Sequence, residues 1–165
     1  MPKRLLSVVC LAVVGCSAPG PESRTDTAAL HAYRIAAGTP DEILVREIER
    51  GPNTSVVEVF VHKFGGALGG SMFQMACFAD MAKSRGNSHY VTLAEEMIRK
   101  GSTADPGNDM RVTIGFCNGS TAAELQQFGA AAAKLEPRDV QHVDDGKELM
   151  PPIEQYRVPA ASQPR

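Results

Sequence analysis

The stretch SVVEVFVHKF, residues 55–64, is the clearest strand in this chain and decides its fold class. Val57, Val59 and Val61 alternate onto one face of an extended backbone. The other face includes polar residues and consists of Val56, Glu58, Phe60, His62 and Phe64. One buried face and one polar face are typical of strands in antiparallel sheets. The stretch therefore predicts a sheet with a layer packed on its apolar side.

Shorter patterns extend this sheet in both directions along the chain. Alternation predicts strands over 31–38, 88–93 and 110–117, whereas helical spacing predicts a largely buried helix over 71–86 and a second helix over 121–135. From residue 55 onward the order is strand, helix, strand, strand, helix. We therefore predict an α+β fold, with a small, mostly antiparallel sheet and helices packed on one of its faces.

Two segments are ambiguous between helix and strand. Thr39-Pro40-Asp41-Glu42 resembles a capping box that would open a helix over 40–50, and this interpretation is slightly favoured. However, 40–50 is rich in β-branched residues and lies only a short turn, GPNT, before the clear strand, so a hairpin stays open. The stretch 94–101, AEEMIRKG, is interpreted as one or two helical turns.

The N-terminal residues have the organisation of an export signal. In KRLLSVVCLAVVGCSAPG, residues 3–20, two positive charges precede ten mostly apolar residues, which are too few to span a bilayer. The ending Val13-Val14-Gly15-Cys16 resembles the lipobox of bacterial lipoprotein signal peptides. That resemblance implies a diacylglycerol on the Cys16 thiol and cleavage just before Cys16. The alternative is an ordinary signal peptide with an incidental cysteine.

These patterns divide the chain into four parts. Residues 1–15 form the lipoprotein signal peptide, and 16–30, rich in Ser, Pro, Gly and Thr, form a lipidated flexible tether. Residues 31–135 form the α+β domain. Residues 136–165 hold five prolines without a sustained period, so they are predicted to be a flexible tail.

Part of the domain is similar to a type of small bacterial lipoprotein of unknown function. In such proteins a helix with Ala and Cys ends in RG or KG and leads directly into an aromatic-containing strand. Here the corresponding stretch is ACFADMAKSRGNSHYVTL, residues 76–93. This similarity carries no catalytic motif, so it implies no active site.

Charge and composition narrow the classes of ligand. The chain has 17 basic and 19 acidic residues, and removal of 1–15 deletes Lys3 and Arg4, which leaves a formal charge of −4. Nucleic-acid binding is not expected of such a surface. The four histidines are scattered without metal-ligand spacing, so no metal and no cofactor is predicted.

Two further groups of residues are candidate sites. Gly69, Gly70 and Ser71 follow a strand and precede a predicted helix, which is where anions bind, although the lysine of a phosphate-binding loop is missing. A flexible connection is the alternative. Cys77 and Cys117 are an even pair in an exported domain, which favours a disulfide over two packing thiols.

The expected function is that of a lipid-anchored cell-envelope protein with a non-enzymatic binding or assembly-support domain. It would meet the membrane through lipid on Cys16 and contact an envelope protein. Ser17 is not Asp, which by resemblance to lipoprotein sorting favours the outer membrane, facing the periplasm, in a Gram-negative host. The alternative is an envelope enzyme or small-ligand carrier whose site joins distant residues.

Overall fold

The structure is a computed structural model that describes residues 30–35, 42–62, 67–102, 107–145, 147–149 and 152–159. It confirms the α+β class, with a six-stranded sheet in the order β1-β2-β3-β5-β4-β6 in which every strand pairing is antiparallel. The strands are β1 (Ala32–Ile35), β2 (Glu42–Arg50), β3 (Thr54–His62), β4 (His89–Arg99), β5 (Asn108–Cys117) and β6 (Gln141–His142). The helices are α1 (Ala67–Ser84) and α2 (Ala122–Gln126).

The segment 42–50 is a strand, so the preference for a helix over 40–50 was wrong there. β2 pairs with both β1 and β3, and Ile43, Val45 and Glu47 are buried at every second position. The turn into β3 closes with a hydrogen bond from the Gly51 N–H to the Thr54 carbonyl, 2.9 Å. Pairing on both edges satisfies the backbone of this β-branched segment and outweighs the local helix-start signal, whose residues 39–41 lie outside the described residues.

The helical interpretation of 94–101 was also wrong over residues 94–99. β4 continues to Arg99 and pairs with β5 along nearly its whole length, with register shifts around Leu93 and Ile98. Because β5 offers a long extended partner, residues of good helix propensity such as Glu95 and Met97 are held in the sheet.

The main core lies between α1 and one face of the sheet. Side chains of α1 that share helical spacing, Phe73, Cys77 and Met81, are fully buried against this face. The sheet contributes alternate residues of β2, β3 and β5, and the β3 set is the one that the sequence pattern predicted. These sheet residues are Ile43, Val45, Val57, Val59, Val112, Ile114 and Phe116.

The second helix packs on the other face, which corrects the expectation that the helices share one face. Leu125 of α2 belongs to a separate cluster with Val91 and Cys117, and these strand positions alternate with those of the main core. A Cβ atom at Gly115 would lie 2.7 Å from the Phe128 ring, so the chain after α2 lies directly on this face. The apolar residues on the α2 segment match a small apolar patch on β4 and β5, and this patch determines where the segment packs.

The described residues after Leu135 pack on the domain, although a flexible tail was predicted from 136. β6 pairs with the start of β4, and Ile153 and Tyr156 of a 3-10 turn pack against the main core. Further along, the Val158 N–H donates to the Ala32 carbonyl at 2.8 Å. The prolines therefore shape short turns between contacts, and the packed chain extends beyond the predicted boundary at 135.

Candidate functional site

The face of the sheet opposite α1 carries a cross-strand array of charges, which we call the ionic face. Its members on β2, β3 and β5 occupy positions that alternate with the core residues, and one arginine each on β1 and β4 joins them through ion pairs. The array consists of Arg34, Glu42, Arg46, Glu58, Arg99, Asp109 and Arg111. Charges of opposite sign lie beside one another on neighbouring strands, which stabilises a sheet modestly and presents a patterned surface.

Glu58 is the centre of this array. Its carboxylate accepts from the Arg46 guanidinium at 2.7 Å on β2 and from the Arg111 guanidinium at 3.1 Å on β5. These two hydrogen bonds hold the pKa of Glu58 below its usual range. Arg111 is nearly half-exposed, so this part of the array is accessible to a partner.

A pocket of about 240 Å³ opens on the ionic face. Leu44, Phe60 and Ile98 supply apolar contacts, and Arg46 and Asp109 supply opposite charges. The Arg99 guanidinium lies 5.8 Å from the Phe60 ring centre while bonding Asp109 at 2.9 Å. The pocket is smaller than usual drug-sized ligand sites, so its volume suits one side chain or a small amphipathic molecule.

A second polar cluster lies buried at the other side of the sheet, around Glu47. This carboxylate is 1% exposed and accepts from Arg50 of its own strand, from Ser55 of β3 and from Arg85 at the end of α1, the last at 2.7 Å. The Arg85 guanidinium also lies 4.5 Å from the Phe116 ring centre. The cluster fastens the end of α1 to the β2–β3 hairpin.

Asp80 forms a related buried cluster with the C-terminal segment. It accepts a hydrogen bond from the Tyr33 hydroxyl at 2.6 Å and a two-pronged ion pair from Arg157, with its shortest N–O distance 2.7 Å. Burial, with this hydrogen bond to Asp80, raises the pKa of Tyr33 far above its usual range. Because each of these groups is satisfied by another protein group, the cluster is suited to holding structure together.

The predicted disulfide is not formed. Both Cys77 and Cys117 are free thiols and buried, but Cys77 lies in the core beneath α1 whereas Cys117 lies in the cluster beneath α2. The sheet separates the two clusters, so the two sulfur atoms cannot meet. Burial raises the pKa of the Cys77 thiol well above its ordinary value, which disfavours the reactive thiolate.

The residues proposed for an anion site lie inside a helix rather than before one. α1 begins at Ala67, so Gly69, Gly70 and Ser71 fall within its first two turns and Ser71 is not the residue that caps it. The glycine-rich sequence suggested a loop, but the backbone of 69–71 is helical. The anion site stays a prediction, without a bound group to support it.

Cys16 and the histidines are the remaining residues that the sequence analysis considered. Cys16 lies outside the described residues. His89 faces His142 across β4 and β6, with ring centres 4.9 Å apart. Among the described residues, no group of three metal-ligating side chains converges.

Sequence reasoning missed the ionic face as a unit. The signal was present, because Glu58, Phe60 and His62 were recognised as the second face of one strand. The sequence pattern does not give the strand register, which brings Arg46 and Arg111 beside Glu58 from two other strands.

No helix among the described residues is both long and apolar enough to cross a bilayer. No protein-family model, curated protein or solved structure matches this chain.

Proposed function

We propose that this chain is a lipid-anchored protein of the bacterial cell envelope whose folded domain binds another envelope protein. The lipid anchor is inferred from the sequence, in which a short apolar segment, Leu5–Val14, is followed by Gly15-Cys16. Two or more acyl chains at one residue hold a protein stably on a membrane. In a Gram-negative host, Ser17 after the modified cysteine favours the outer membrane, with the domain in the periplasm.

The ionic face supports a binding role for the domain. It combines accessible, alternating charges with an apolar pocket, and interfaces commonly join an apolar anchor to a polar surround. The buried Glu47 and Asp80 carboxylates accept their hydrogen bonds from groups of the same domain, and the Cys77 thiol is fully buried. These groups are therefore better explained by stability than by catalysis.

The anchor is tested by palmitate labelling of the full chain in a bacterial host. We expect the wild type to incorporate label and Cys16→Ser to remain unlabelled and unprocessed, because the acceptor thiol is removed. Cys10→Ser is the matched control, since this cysteine lies inside the apolar segment and would leave with it. A wild-type protein that is processed normally without label would refute the anchor.

The binding role is tested by chemical cross-linking in intact cells. We expect a reproducible adduct with one envelope protein that is lost in Arg111→Glu, because reversal at this exposed position puts two acidic groups side by side on the ionic face. Arg138→Glu, at an exposed position outside this face, should keep the adduct. If the adduct still forms in Arg111→Glu, the ionic face is not the binding surface.

A small-ligand carrier is a second candidate, favoured by the pocket beside Phe60. Native mass spectrometry distinguishes a carrier from a protein-binding domain. A carrier would retain a bound small molecule of defined mass, and Phe60→Ala would lose it. A protein that carries no such mass when purified from its host would argue for the protein partner instead.

A further inference from the structure

The two edge strands of the sheet differ in how much of their outer edge is covered. At one edge, the C-terminal segment covers β1, through a bridge between Tyr33 and Arg157 and the hydrogen bond from Val158 to Ala32. At the other edge, β6 pairs only with His89 and Tyr90 of the eleven-residue strand β4. Within the described residues, the outer edge of β4 from Val91 to Arg99 therefore has no neighbouring strand.

Within this open edge, the stretch 94–98 is exposed on both of its faces. Residues 94–98 are all exposed, and they include two of the three large hydrophobic side chains that are exposed in the described chain, Met97 at 53% and Ile98 at 47%. An edge strand presents unpaired N–H and C=O groups, which can pair with a strand of another molecule. Hydrophobic side chains on such an edge would be covered by that pairing.

The sequence of this edge is complementary to itself in the antiparallel direction. It reads Ala94-Glu95-Glu96-Met97-Ile98-Arg99-Lys100, with acidic residues before the hydrophobic pair and basic residues after it. Antiparallel pairing reverses one copy, so the acidic end of each strand lies beside the basic end of the other. Opposite charges across a strand pair stabilise it, whereas like charges oppose it.

The charges also select the register. A twofold pairing centred on Glu95 or Glu96 would place identical glutamates opposite each other, and one centred on Arg99 would oppose two arginines. The register shift at Ile98 makes Arg99 the next paired position after Met97. A pairing centred on Met97 therefore places Glu96 opposite Arg99 of the second copy and Glu95 opposite Lys100. This register brings the exposed Met97 to the centre, beside Ile98. Arg99 keeps Asp109 as its partner within the chain, so Lys100 is the cleaner charge to test.

We propose that the outer edge of β4 is a homodimerisation surface, on which a second copy of this chain adds its own β4 in antiparallel orientation and joins the two sheets. An isologous contact of this kind closes with two subunits. The proposal goes beyond the envelope function and does not require the lipid, because every residue that it uses lies in the folded domain.

A charge-exchange experiment tests the proposal. Full-length chains with two different affinity tags are produced together, solubilised in detergent and captured through one tag, and recovery of the other tag reports the dimer. We expect wild-type copies to recover one another. Two differently tagged copies of Glu95→Lys/Glu96→Lys should not recover each other, and neither should two copies of Lys100→Glu. Self-association of each variant should be about tenfold or more weaker than that of the wild type, because like charges then lie opposite each other.

The decisive sample contains both variants together. The Met97-centred register then has fewer like-charge pairs than in either variant alone, so recovery should return. The control Glu154→Lys reverses an exposed charge on the 3-10 turn away from β4 and should leave recovery unchanged. Circular dichroism and thermal unfolding of each variant verify that the fold is retained.

Two outcomes would overturn the proposal. The first is a full chain that carries Cys16→Ser, so that lipid plays no part, and an unchanged β4, and that sediments as a monomer. The β4 charges would then only prevent edge-to-edge pairing, as they do on many edge strands. A dimer that survives both charge reversals would lie on another surface. Because palmitate labelling reports the anchor separately, failure of the dimer is distinguishable from failure of the proposed function.

Discussion

Glu47 shows how one buried residue can set the pH range of the fold. Burial alone would raise its pKa, but hydrogen bonds from Arg50, Ser55 and the His31 backbone lower it to about 2. A carboxyl whose pKa is lower in the folded protein than in the unfolded chain stabilises the fold above the unfolded pKa, about 4.5 here. That stabilisation is lost as pH falls from about 4.5 towards 2.

We predict that Glu47→Gln destabilises the domain by about 3 kcal/mol at neutral pH, because Arg50 and Arg85 lose a buried counter-charge. Between about pH 4.5 and 2 the wild type should lose more stability than the variant, so their difference narrows. Urea unfolding across this pH range measures both effects. Glu49→Gln, at an exposed position of the same strand, is the control; equal losses in the two variants would contradict the assignment.

At the scale of elements, α1 illustrates how two glycines in one helical region differ in role. Gly70 lies within α1, and a Cβ atom there would meet no atom within 4 Å apart from its chain neighbours and the backbone of its own helix. Gly86 follows the helix with φ of 75°, a left-handed conformation that glycine adopts without strain. It allows the Asn87 N–H to reach back to the Ala82 carbonyl at 3.0 Å.

We therefore expect Gly70→Ala to stabilise the domain by about 1 kcal/mol, because alanine loses less backbone entropy in a helix. Gly86→Ala should destabilise it by about 1 kcal/mol, because an L side chain is strained at that φ. Denaturant unfolding of both variants gives the comparison. A destabilising Gly70→Ala would show that residues 69–71 do not form the early turns of α1.

For the whole molecule, the C-terminal segment is the element that joins distant parts of the chain. It contacts β1 through Val158, the core through Tyr156 and α1 through the ion pair from Arg157 to Asp80. The ring of Tyr156 meets Phe73 edge-on, with centres 5.5 Å apart. One sheet edge is thereby covered, while the β4 edge is left open among the described residues.

Arg157→Ala should lower the free energy of unfolding by about 2 kcal/mol, because the buried Asp80 carboxylate keeps only Tyr33 as a hydrogen-bond donor among the bonds described above. Hydrogen exchange at β1 should accelerate as the covering segment loosens. Arg138→Ala removes an ion pair that is mostly exposed and should change stability by less than about 0.5 kcal/mol. If the two variants unfold alike, the C-terminal segment does not hold the domain together.

The sequence by itself determined the features that depend on near neighbours. Alternation identified β3 and β5, and the lysine- and glycine-containing end of α1 was recognisable because a helix stop is a local backbone event. Register was not local: β2 became a strand because β1 and β3 flank it, and Glu58 gained two arginine partners from strands far apart in the chain. Likewise, Cys77 and Cys117 have no disulfide because a sheet lies between them. Only the tertiary structure decided these points, because a residue's sheet face and its neighbours across the sheet follow from pairing between distant segments.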